Sequence, residues 1–155
     1  MEEEPKNTNN EPDDQGHHHK VDRSVAARWT ARLAANFTPV SRVFLENLPK
    51  LRPHDGARGL NATEAMVVIQ LVSYKWDSRA PFPALTTIAE RMDLNVRTVR
   101  AAVKRLEDLK YLRREFSPNG GPSRYHFDGL FQALEAIVDE QERAARANEQ
   151  PAVAA

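Results

Sequence analysis

The sequence contains no cysteine. Disulfide cross-links, thiolate zinc sites, iron–sulfur clusters and thiol nucleophiles are thereby excluded, and a reducing compartment fits. No apolar run approaches the roughly 18 to 20 residues that a membrane-crossing helix requires. The charged opening, residues 1–14, has no apolar segment of the signal-peptide kind, so a soluble, cytoplasmic protein is expected. Net charge is missing too, because 22 Lys and Arg balance 22 Asp and Glu. A surface for a polyanion must therefore come from local segregation of charge. No phosphate loop, dinucleotide fingerprint or metalloprotease motif occurs. His54 and Asp55 are neighbours with no serine or carboxylate spacing to complete a catalytic set, so no enzyme and no cofactor are expected. The run His17, His18, His19 has no carboxylate or thiol arranged beside it, and no metal site is expected there.

What is present suits one compact domain with ragged ends: 155 residues, 41% of them hydrophobic. Residues 1–22 hold acid, Asn and Pro with almost nothing to bury and are expected to form a disordered acidic tail. Residues 23–58 are read as a helical extension and loop: a helix over 24–35 capped by Ser24, a break at Pro39, a second short helix around Val43 to Leu48, then Pro49, Pro53 and the 54–59 loop. Thr63 and the apolar run 66–76 predict a helix that is apolar on most sides and hence central. Pro81 and Pro83 end it. Residues 129–147 predict a last helix capped by Asp128, and 148–155 a fraying tail.

The segment between is the informative one. Leu85, Ile88, Ala89 and Met92 follow helical spacing, Asp93-Leu94-Asn95 breaks it, and 96–110 is helical again. Ala89 is small enough for two crossing backbones, Leu94 is placed to close the corner, Val99 anchors the second helix and Asn95 caps it. With Arg97 at zero, Ala102, Leu106, Val99 and Val103 fall at about 140° to 240°, while Arg100, Lys104 and Ala101 fall within about 60° of Arg97, and Arg105 near 80°. An apolar face is thus opposed by a basic one. Residues 111–116 and 124–127 read as short strands joined by a loop containing Asn119-Gly120-Gly121 between prolines, a hairpin with Leu112, Arg114 and Phe116 on one face. Between Arg79 and Arg124 there are ten Lys or Arg against five Asp or Glu, a local excess of five positive charges in a neutral chain.

Residues 85–112, LTTIAERMDLNVRTVRAAVKRLEDLKYL, resemble the winged helix-turn-helix pattern of prokaryotic regulators, a family that includes phage, plasmid and chromosomal proteins and some that act in replication. The likeness covers about 59–134. It implies a mainly α fold with a small β-hairpin wing, a DNA-binding domain over 59–128, a supporting helix at 85–92, a recognition helix at 96–110 and a wing at 113–124. Such turns often carry glycine, and this chain has Asp93. The expected partner is double-stranded DNA, met by Asn95, Arg97, Thr98, Arg100, Ala101, Lys104 and Arg105 from the helix and by Arg113, Arg114 and Arg124 from the wing. Arg97 and Arg100 are expected at base edges, Lys104 and Arg105 on phosphate, the wing arginines on backbone or minor groove. Transcription regulation, replication or plasmid maintenance, and a protein-interaction role for the basic stripe all use this surface. Leu130, Phe131, Leu134, Ile137 and Val138 share one stripe of the last helix, where they either close the core or form a homodimer face.

Overall fold

The computed structural model describes residues 21–150. The three adjacent histidines and most of the two expected tails, 1–22 and 148–155, lie outside the described residues; the last helix, expected to end at Ala147, continues through Asn148 and Glu149. The chain divides between Phe37 and Thr38 into two compact units.

In the first unit, Ser24 accepts a hydrogen bond from the Ala27 amide and starts α1 (Val25–Arg28), and Thr30 accepts from Leu33 and starts α2 (Ala31–Ala34). The single helix expected over 24–35 is split because Thr30 takes an extended conformation (φ −148°) and caps a new turn. Neither helix buries a residue.

The second unit runs α3 (Arg42–Glu46), a 3-10 turn (Leu48–Lys50), α4 (Ala62–Val72), α5 (Leu85–Met92), α6 (Val96–Asp108), β1 (Arg113–Glu115), β2 (Arg124–His126) and α7 (Asp128–Glu149). It is mostly helical with a two-stranded antiparallel hairpin after the helix-turn-helix, the winged architecture expected. Its core is built from Leu51, Val67, Leu71, Ile88, Val99, Val103, Leu106 and Leu130, all essentially without solvent contact. Phe44 and Leu51 are buried in that core, and the compact unit begins at Thr38.

Helix α4 starts with a capping box: the Glu64 amide donates to Asn61 Oδ1 at 2.8 Å, and the Asn61 amide donates back to Glu64 Oε2 at 2.9 Å. The helix ends at Val72, short of the expected Trp76, which stands in the following loop and is 86% exposed. Val67, Val68 and Leu71 are buried while Met66 faces out, so the helix is central with one solvated edge.

The corner between α5 and α6 is closed by backbone geometry. Asp93 takes the left-handed conformation (φ 51°, ψ 45°), the Leu94 amide reaches Ala89 O at 3.0 Å, and the Asp93 amide reaches Glu90 O at 3.2 Å. These are the two bonds of a Schellman motif, with aspartate where glycine is usual. Ala89 and Val99 are buried as the crossing requires. Leu94 is only at the edge of the core, 37% exposed, because these two backbone bonds fix the turn without it. Helix α6 ends two residues earlier than expected, in a second Schellman motif with Lys110 at φ 64°.

In the hairpin, Arg113 pairs with His126, Arg114 with Tyr125 and Glu115 with Arg124. The Tyr125 amide donates to Pro81 O at 2.9 Å, which ties the extended segment before α5 to the wing. Gly129 is required by close approach: a Cβ there would stand 1.8 Å from Lys110 O. Asp128 is the first residue of α7 and makes no cap bond, Phe127 occupying the cap position, although a carboxylate in the first turn still suits the helix dipole. Leu130, Leu134 and Ile137 are buried in this unit's own core, so the proposed dimer stripe keeps only Phe131, 40% exposed, and the half-buried Val138. No described helix is long and apolar enough to cross a membrane.

Candidate nucleic-acid interface

The start of α6 is fixed by Asn95, whose Oδ1 accepts the Arg97 amide at 2.8 Å and removes one of the unpaired donors of the first turn. Val99, Ala102, Val103 and Leu106 then bury one side of the helix. Asn95, Arg97, Thr98, Arg100, Ala101 and Lys104 are left exposed on the other, and the small Ala101 leaves room for close approach along it. Among the described residues Arg97 and Arg100 stand in no ion pair. Lys104 does: it bonds Asp108 one turn later, a pair in which both side chains are more than half exposed. The contact raises the Lys104 pKa, chiefly through that hydrogen bond. An exposed pair in water exchanges partners readily.

Arg105 departs from expectation. Its Nη1 donates to Glu64 Oε2 at 2.6 Å and to Gly59 O at 3.2 Å, and its Nη2 donates to Arg58 O at 2.8 Å. Arg58 grips the same carboxylate at 3.0 and 3.1 Å. The side chain near 80° on the helix is thus turned into the protein, where it bolts α6 to the start of α4. Burial pushes the Glu64 carboxyl upward, but the Arg58 hydrogen bond, the Asn61 amide and the charges of Arg105 and Arg58 outweigh it and hold the group below the ordinary carboxylate value. Sequence reasoning missed Glu64, although Asn61-x-x-Glu64 is a legible capping-box signal.

The hairpin divides its charges by register. Arg113, Glu115, Arg124 and His126 belong to the outer face, and Glu115 bonds His126 at 2.7 Å, which lowers its pKa. Arg113 and Arg124 are exposed and outside any ion pair among the described residues. Arg114 lies on the inner face beside Tyr125, 20% exposed, with Nε 3.5 Å from Glu107 Oε1 and its guanidinium over the Tyr125 and Phe116 rings. The arginine expected on the DNA backbone is therefore a strut between the end of α6 and the wing. Among the described residues two cations on the front of α6 and two on the wing stand outside any ion pair, with Lys104 loosely held between.

A helix-turn-helix followed by a hairpin wing, with unpaired cations on both, defines the class as a winged helix-turn-helix domain. The comparison with known families agrees: residues 58–112 match the model of a helix-turn-helix domain. That class suggests DNA as a partner. No curated protein matches the chain.

Proposed function

We propose that this chain is a cytoplasmic, sequence-specific binder of double-stranded DNA that regulates transcription. In this account α6 lies in the major groove, whose width of about 12 Å admits a helix about 10 to 12 Å across. Arg97 and Arg100 bond base edges, where a guanidinium can engage guanine with two hydrogen bonds. Asn95, Thr98 and Ala101 lie at the same surface, and Lys104 exchanges Asp108 for a phosphate. Arg113 and Arg124 follow the backbone or the minor groove from the wing. Arg105 and Arg114 act one step back, by holding the helix and the wing at their angles. The observation that carries the proposal is the exposure of Arg97 and Arg100, in no ion pair among the described residues, on the solvent side of a helix whose other side is core. Selection of bound duplexes from a random pool at two salt concentrations tests it. A shared consensus is expected at both, with weaker retention of unrelated sequences at the higher salt. Absence of any enriched sequence would contradict it and transfer the basic surface to an acidic protein partner.

A further inference from the structure

Two large apolar side chains on the wing side of the molecule are turned to solvent: Phe82 is 57% exposed and Phe116 is 70% exposed. Neither belongs to the core, and the helix contacts described above do not use them. They are brought together by the Tyr125–Pro81 bond, which lays the segment carrying Phe82 alongside β2, and by the hairpin register, which puts Phe116 at the end of β1. Both rings line one groove of about 380 Å³, whose other walls include Pro118, Pro122, Glu115 and Arg124. That volume falls within the range of sites that hold small flat molecules, and two prolines with fixed φ limit the ways its rim can collapse.

The charge of the groove narrows the choice of occupant. Glu115 is already engaged by His126 at 2.7 Å, so among the described residues Arg124 is the charged lining group that stands outside any ion pair. Its guanidinium sits 5.4 Å from the Phe82 ring centre, and that of Arg114 sits 5.4 Å from the Phe116 ring centre. Two exposed aromatic rings with a planar cation beside them are the kind of surface that holds a nucleobase outside its stack, the rings stacking on the base and Arg124 meeting the phosphate beside it. A base within an intact duplex presents only its edge to a wing, so such a groove is filled only where a base is unpaired or a step has been opened.

We propose that the groove between Phe82 and Phe116 takes an unstacked base, so that the wing gives this protein a preference for DNA carrying an unpaired nucleotide. The proposal rests on the DNA-binding reading above. Its test uses the full chain with two short duplexes of the same sequence, one fully paired and one with a single bulged 2-aminopurine, titrated at low salt by fluorescence anisotropy. The wild-type protein binds the bulged duplex about tenfold more tightly, within the fivefold-to-hundredfold range of one base–aromatic stack, and the 2-aminopurine emission changes on binding as the base leaves its neighbours. Phe82→Ala and Phe116→Ala bring the ratio close to one while keeping the affinity for paired duplex, and Phe116→Trp preserves the preference. Equal affinity of the wild type for both duplexes, or a ratio unchanged in both alanine variants, overturns the proposal and leaves the DNA reading standing. Failure to bind either duplex contradicts the DNA reading itself.

Discussion

Arg105 donates to the carboxylate of Glu64 at 2.6 Å, across 41 positions of sequence, and this bond ties α6 to the first turn of α4. Glu64 is 5% exposed as a side chain and serves three partners at once, Arg58, Arg105 and the Asn61 amide. Glu64→Gln keeps the shape but removes the charge, leaving two guanidinium groups competing for one neutral oxygen. A loss of about 2 to 3 kcal/mol in urea unfolding is expected.

The same carboxylate makes stability depend on pH. Its folded pKa lies below the ordinary 4.5, so the folded chain holds this proton more weakly than the unfolded chain does. Between the two values the unfolded state binds more protons, and stability rises with pH. The contribution is therefore complete above about pH 4.5 and is lost as the pH falls through the folded value. Urea midpoints measured across the acid range should fall steeply in the wild type and less steeply in Glu64→Gln. Parallel curves would show that the cluster does not titrate with folding.

Arg105→Ala separates support from contact. It should lower the unfolding free energy by about 1 to 3 kcal/mol while leaving the order of preference among DNA sequences unchanged. A variant as stable as the wild type with an altered base preference would return Arg105 to the contact surface.

Lys110 ends α6 at φ 64°, a conformation that costs a side-chain-bearing residue about 1 to 2 kcal/mol. Glycine avoids that cost but loses about 0.5 to 1 kcal/mol of it to greater unfolded-chain freedom. Lys110→Gly should therefore stabilise the domain by about 0.5 to 1 kcal/mol, read as a rise in thermal midpoint. A fall would mean that the lysine side chain contributes a contact absent from this account.

Gly129→Ala should be severe, because the new Cβ would stand 1.8 Å from a backbone oxygen that also belongs to the α6–β1 turn. Either α7 or the turn has to move, at a cost near or above the ~3 kcal/mol upper end usual for overpacking. Gly121→Ala in the wing loop is the control, since its nearest neighbour outside the adjoining residues is the Ser117 hydroxyl oxygen at 3.2 Å. Similar losses in the two variants would argue against the close approach.

The helix-turn-helix was legible because it depends on local spacing. Ile88, Ala89, Val99 and Val103 repeat at helical intervals, Asn95 is a strong cap, and aspartate is among the few residues that enter the left-handed region with little penalty. The use of each cation was less legible. Arg105 sits at the margin between the two faces of α6, and its partner Glu64 belongs to another helix that only the fold brings near. Arg114 alternates inward as the strand period requires, yet its charge suggested the surface, and only the adjacent Tyr125 and Glu107 explain its burial. The apolar stripe of α7 left two outcomes open, and the burial of Leu130, Leu134 and Ile137 comes from packing in the domain's own core.

The most direct test of the central claim compares Arg97→Ala and Arg113→Ala on a selected and an unrelated duplex across a series of salt concentrations. Arg97→Ala should lose about 1 to 3 kcal/mol on the selected duplex and much less on the unrelated one, narrowing the ratio between them. Arg113→Ala should weaken both equally and reduce the slope of log affinity against log salt by about one. Equal losses on both duplexes in both variants, or wild-type affinity in both, would contradict the assignment of base contact to α6 and backbone contact to the wing.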